Sequence, residues 1–87
     1  MQMQATEIGQ EIRTYLTEEF LFGRTEGFND DVPLLGNVID SQGVIELVAF
    51  VQQRFHIEVD DDEVTTDNFA TVKSVTSFIE KKLHSKA

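Results

Sequence analysis

Wound at about 100° per residue, Val44, Leu47, Val48, Val51 and Phe55 fall inside a sector of about 100°. Gln42, Glu46, Ala49 and Gln53 take the opposite side, with Ile45 and Phe50 on the two flanks. A stripe of that width predicts a helix from Asp40 to Phe55 with one face turned to a core. Two more segments share the period. Ile8, Ile12, Tyr15, Leu16 and Phe20 predict a helix from Thr6 to Phe22, with Thr6 as cap, Glu7 in the positively polarised first turn and Gly23 as stop. Val72, Val75, Ile79 and Leu83 predict a last helix over 71–83, with Thr71 as cap and Lys81, Lys82 and Lys86 at its negative end. Nothing alternates with a period of two except the weak stretch Ile57–Val59.

The connections complete the outline. Gly23 to Ile39 is long for a compact domain and is punctuated by Gly27, Asn29, Pro33 and Gly36. Phe28, Val32, Leu34 and Leu35 are the residues expected to pin it to the core, and Pro33 argues against a long helix through it. Asp60-Asp61-Asp62-Glu63-Val64 opens a short helix over 61–66, with its acids at the end the dipole favours. The expected fold is all-α, with three longer helices, one short third helix and a long first loop. One domain spans 6–83, between a flexible N-terminus over 1–5 and a tail over 84–87.

At 87 residues the chain has room for one small domain. It has no cysteine, which excludes disulfides, thiolate zinc sites and a cysteine nucleophile. No stretch approaches 18 consecutive apolar residues, and Met1-Gln2-Met3-Gln4 lacks the basic start of a signal peptide, so a cytoplasmic location is expected. The formal charge is −9, a surface that repels nucleic acid and anionic membrane. Residues 1–39 carry seven acids against two bases, residues 40–67 eight against one, and residues 71–87 four lysines against one glutamate. An acidic middle beside a basic tail suits a partner with a cationic patch, although acidity alone also keeps a small domain in solution.

Chemistry of the chain's own is hard to find. Asp60, Asp62 and Glu63 loosely resemble the start of a calcium loop. The fifth, sixth and twelfth places, where that loop needs an oxygen ligand, glycine and glutamate, hold Val64, Thr65 and Thr71. His56 and His84 have no metal-ligand spacing and read as surface or helix-end residues. A serine hydrolase needs a base and an orienting acid beside its serine, and the G-x-S-x-G elbow is absent. Asp40 and Glu46 stand six apart on a helix and do not face one another. No metal site and no catalytic site is expected.

What remains is Asp40-Ser41-Gln42-Gly43 at the start of the second helix. By itself this is an ordinary cap. Its context is an ordered set: Leu34-Leu35-Gly36-Asn37-Val38-Ile39-Asp40-Ser41, then Val44-Ile45-Glu46-Leu47-Val48, Phe55, an acidic short turn, and Asn68-Phe69-Ala70-Thr71-Val72. From about residue 6 to 83 the chain resembles the acyl carrier and peptidyl carrier protein family, whose hallmark is Asp-Ser at the start of the second helix followed by E-L-V and F. The resemblance implies a four-helix bundle in which Ser41 bears 4′-phosphopantetheine, drawn from coenzyme A. The thiol of that arm holds an acyl or aminoacyl group as a thioester. It implies that Asp40 caps the helix and is recognised by the phosphopantetheinyl transferase. A free-standing monomer is expected, with three classes of partner: that transferase, an adenylate-forming acyl or aminoacyl ligase, and downstream acyl-using enzymes. A helix N-terminus with its unpaired N–H groups is a favourable place for the phosphodiester.

The chain also departs from the family. Gln42 stands where Leu or Met is usual. Gly43 lies within the first turn, where it leaves room for a partner or the arm, or is merely tolerated. Asn37 stands where related carriers often have Gly, and Asn is a residue that tolerates a left-handed conformation. Fatty-acid carriers display several acids on the outer face of this helix, whereas here Gln52, Gln53 and Arg54 are expected there, leaving only Asp40 and Glu46. That difference and the D-S-x-G-V-x-E-L arrangement point to a specialised carrier with a dedicated ligase. Gln42, Ile45, Glu46, Ala49 and Phe50 form its expected docking surface. Phe50 has a second reading, as packing against the first loop. The competing functional class is an acidic helical interaction module that is never modified.

Overall fold

The computed structural model describes residues 4–24 and 26–85. Among the described residues three α-helices carry the architecture: α1 (Ala5–Glu19), α2 (Ser41–Phe55) and α3 (Val72–Ser85), with one 3₁₀ turn at Asp61–Glu63 between the last two. The protein is all-α, and no β-strand forms among the described residues. No described helix is long and apolar enough to cross a membrane.

The apolar stripes meet along one core. Ile8, Ile12 and Leu16 of α1 are buried with Leu47, Val51 and Phe55 of α2 and with Val72, Val75, Phe78 and Ile79 of α3. Fully burying one such side chain contributes about 1.5–3 kcal/mol. Val44 and Val48 are half-buried at the edge of this core. α1 packs chiefly along α3.

The helix ends differ from their expected places for local reasons. Gln4 precedes α1 and its N–H donates to Glu7 Oε1 at 3.3 Å, so Thr6 lies inside the first turn rather than at the cap. α1 stops at Glu19 and not at Phe22. Leu21 N–H bonds back to Leu16 O and Gly23 N–H to Thr17 O, which requires left-handed backbone at Phe22 (φ 52°) as well as Gly23 (φ 85°). Thr71 Oγ1 accepts from Ser74 N–H at 3.0 Å immediately before α3, and that helix runs to Ser85 rather than residue 83. Residues 1–3 of the N-terminus expected to be flexible, and Lys86 and Ala87 of the tail, lie outside the described residues.

The expected third helix over 61–66 is reduced to one 3₁₀ turn. Asp60 N–H donates to Glu63 Oε1 at 2.9 Å, and the same oxygen pairs with Lys82 Nζ of α3 at 2.7 Å. No residue of the turn is buried, so no apolar stripe draws it into a longer helix. Ile57 and Phe69 anchor the segment to the core on either side.

The long first loop is held by three ties. Arg13 of α1 grips Asp30 with both oxygens within 3.0 Å. Lys73 N–H donates to Asp30 O, and Leu34 N–H to Ala70 O at 2.8 Å. Leu34 is buried and Phe28 packs against the core, but Leu35 is 55% exposed and pins nothing. Leu35 and Ile39 form an isolated parallel bridge around Gly36, whose φ is 91°. The left-handed residue of this turn is therefore Gly36, not Asn37. Asn37 instead donates its side-chain amide to Pro33 O at 3.0 Å.

Candidate functional site

Asp40 and Ser41 stand where the loop becomes α2. Asp40 is extended (φ −101°, ψ −173°), and its Oδ1 accepts from Gly43 N–H at 2.8 Å, a capping bond worth about 1 kcal/mol. Val44 N–H donates to Asp40 O at 3.1 Å and closes the first turn. Ser41 is the first helical residue and is exposed, so its hydroxyl meets solvent at the positive end of the helix.

Two hollows flank this point. One is a groove of about 500 Å³ bounded by Leu35, Ser41, Val44, Ile45, Val64, Thr65 and Phe69, among others. Its wall opposite α2 is the strap that follows the 3₁₀ turn. Among the described residues, three of the four exposed large apolar side chains, Leu35, Ile45 (62% exposed) and Val64, stand around it. The other is a cleft of about 440 Å³ whose lining includes Phe20, Val38, Ile39, Asp40, Gln42 and Glu46. Neighbouring positions therefore face different ways: Ser41 and Ile45 the apolar groove, Asp40, Gln42 and Glu46 the acidic cleft.

The remaining expected docking residues divide further. Ala49 is exposed on α2. Phe50 is half-buried and stacked on Tyr15 of α1. Burial, and then the charges of Glu46 and Glu19, push the Tyr15 phenol above its ordinary value. Gln52 does not join the outer face: its Oε1 accepts from Val59 N–H at 2.9 Å. Arg54 pairs with Glu11 of α1. Of the three residues expected on that face, Gln53 alone has neither tie. Gly43 opens no space for a partner or an arm, because it is buried against Ile39 and Phe20.

Leu35, Val64 and Phe69 are groove residues that the sequence pattern did not single out as such. Their signal was slight: an apolar residue beside Gly36, and two apolar positions in an otherwise polar strap. Among the described residues no group of three or more acidic, histidine or cysteine side chains is placed to hold a metal.

An exposed primary alcohol at a helix N-terminus, beside an open apolar groove, fits a phosphodiester-linked arm. Asp40, whose side chain is turned to its cap, leaves that alcohol clear.

No protein-family model matches the chain. It is similar to the probable acyl carrier protein PigG of Serratia sp. (strain ATCC 39006), with 29% identity over 68 residues, covering 77% of this chain and 78% of that protein. That likeness extends over more than two thirds of both chains and is to a protein described as a probable acyl carrier protein.

Proposed function

We propose that the protein carries an acyl or aminoacyl group on 4′-phosphopantetheine attached to Ser41 and shuttles it between enzymes. The observation that carries this reading is the exposed Ser41 hydroxyl, one residue after the Asp40 cap and on the rim of the apolar groove. The bound arm supplies the thiol that the cysteine-free chain lacks and holds the cargo as a thioester. The chain's own residues do the rest. Asp40 fixes the first turn, Ser41 presents its oxygen to the transferase, and Leu35, Ile45, Val64 and Phe69 offer apolar surface along which an arm can lie.

The carrier domain covers residues 6–83. In this reading it is a four-helix carrier fold in which the 3₁₀ turn Asp61–Glu63 takes the place of the short third helix. Its partners are a phosphopantetheinyl transferase, an adenylate-forming acyl or aminoacyl ligase and downstream acyl-using enzymes. Nucleic acid and membranes are not among them, since the charge of −9 opposes both. The protein works as a cytoplasmic monomer.

A specialised pathway suits it better than housekeeping fatty acid synthesis. With Arg54 paired to Glu11 and Gln52 turned to Val59, the exposed side of α2 carries one acid, Glu46, next to the Asp40 cap. Cationic enzymes that read rows of acids would find little complementarity there. The relative's name, an acyl carrier protein, agrees with the general role.

Incubation with coenzyme A and a broad-specificity phosphopantetheinyl transferase, followed by intact-mass measurement, tests the reading. One arm is expected on the native chain and none on Ser41→Ala. An unchanged native mass would support the unmodified interaction module instead.

A further inference from the structure

The first turn of α2 sits on Ile39 without a side chain at position 43. A Cβ placed on Gly43 would stand 2.8 Å from the Cβ of Ile39, 3.2 Å from its Cγ2 and 3.1 Å from Cε1 of Phe20. Carbon atoms meet favourably at about 3.5–4.0 Å, so the first of these distances is a hard overlap. Side-chain rotation cannot relieve it, because a Cβ moves only with its backbone.

Ile39 is held from its other side. Its N–H donates to Leu34 O at 3.0 Å and its carbonyl accepts from Gly36 N–H at 2.8 Å, while Leu34 N–H is bound to Ala70 O just before α3. The residue as a whole is 4% exposed. Between an anchored Ile39 and a helix start open to solvent, the helix start is what yields. That segment, residues 40–43, carries Ser41. Gly43 N–H also makes the bond to Asp40 Oδ1, so any displacement of residue 43 reaches the cap as well.

We infer that Gly43 is a positioning residue for modification at Ser41: by having no side chain it lets Ile39 and Phe20 close beneath the first turn of α2, and this seat fixes how Ser41 is presented. The inference rests on the reading of Ser41 as the attachment point. It also gives the segment just after α1 a part in the site, because the ring of Phe20, the residue that follows Glu19, supports the turn from outside the motif. A displacement of about 1 Å at a reacting group can cost on the order of 100-fold in rate.

Simple tolerance of glycine makes the opposite forecast. In a helix whose position 43 had free space, Ala would stabilise the protein and leave modification unchanged. The test is steady-state transfer from coenzyme A by a broad-specificity phosphopantetheinyl transferase onto native protein, Gly43→Ala and Val75→Ala. Val75 is buried on α3 and lines neither hollow, so its variant controls for lost stability. With every protein folded at the assay temperature, Gly43→Ala is expected to melt lower than native and to lose roughly tenfold or more in kcat/KM. Val75→Ala, with an equal or larger fall in Tm, is expected to keep the native value.

A Gly43→Ala protein modified as well as native, or no worse than Val75→Ala, overturns the inference. Where Gly43→Ala fails to fold by circular dichroism, Phe20→Leu takes its place, since it withdraws the supporting ring without an overlap. It is then expected to lose severalfold in kcat/KM, and an unchanged value overturns the inference. A native chain that accepts no arm overturns the Ser41 reading itself, whereas a modified native chain with an equally modified Gly43→Ala overturns the role of Gly43 alone.

Discussion

Tyr15 of α1 and Phe50 of α2 stack face to face, their ring centroids 4.0 Å apart and their planes 11° from parallel. Phe20 and Tyr15 meet edge to face at 5.9 Å, as do Phe55 and Phe50 at 6.5 Å, so one line of four rings joins the first helix to the second. Aromatic pairs of this kind contribute about 0.5–1.5 kcal/mol beyond the area they bury. A double-mutant cycle with Tyr15→Leu and Phe50→Leu, followed by urea unfolding, is expected to give a coupling of about 1 kcal/mol. Additive losses would show that the rings are neighbours without a specific interaction.

Asp40 has two roles that substitution can separate. Asp40→Ala removes the acceptor for Gly43 N–H and is expected to cost about 1 kcal/mol. Asp40→Asn keeps a capping oxygen and recovers most of that stability. If the carboxylate also serves the transferase, Asp40→Asn remains slow to be modified despite its recovered Tm. Equal modification of native and Asp40→Asn proteins would confine Asp40 to capping.

The 3₁₀ turn that leads into the strap is tied to α3 by an ion pair between Glu63 and Lys82 that responds to pH. The hydrogen bond from Lys82, and then the one from Asp60 N–H, hold the Glu63 carboxyl below its ordinary value. The bond to Glu63 raises Lys82 in turn. A lowered folded-state value means that Glu63 stabilises the fold above the unfolded carboxylate range, near pH 4.3, and loses that effect as pH falls through the folded value. For Lys82 the stabilisation is present below its unfolded value, near pH 10.4, and disappears as pH rises through the raised one. Melting curves from pH 2 to 7 are expected to separate native protein from Glu63→Gln at neutral pH and to converge at the acid end. Parallel curves throughout would remove the pair from the acid response. Added salt should narrow the neutral gap.

The groove makes a local forecast for the modified protein. Amide shifts between unmodified and modified chains are expected at Leu35, Ile45, Val64, Thr65 and Phe69, with little change at Val38 and Glu46 in the cleft. The reverse pattern would place the arm on the acidic side of Ser41.

Much of this organisation was legible in the sequence where periodicity or chemistry was local. The stripe Val44–Phe55 gave the core face of α2, and the order Asp40-Ser41 before an amphipathic run placed a serine at the first helical position. Residues whose role depends on a distant partner were not legible. Gln52 and Arg54 are polar and flank the core stripe by angle, but nothing local shows that one reaches Val59 and the other Glu11, 43 positions away. Gly43 reads as an indifferent residue until Ile39 and Phe20 are seen against it. Leu35 belongs by composition with the core-forming Leu34, but the turn at Gly36 sends it outward to the groove. The 3₁₀ turn falls short of the expected third helix because acids at a helix start indicate where a turn begins and carry no information on how far it runs.

Intact mass after exposure to coenzyme A and a broad-specificity transferase bears most directly on the account. The native chain is expected to gain one phosphopantetheine, mapped by peptide analysis to Ser41, and Ser41→Ala to gain nothing. A native chain of unaltered mass, or an arm mapped to any other residue, would contradict it.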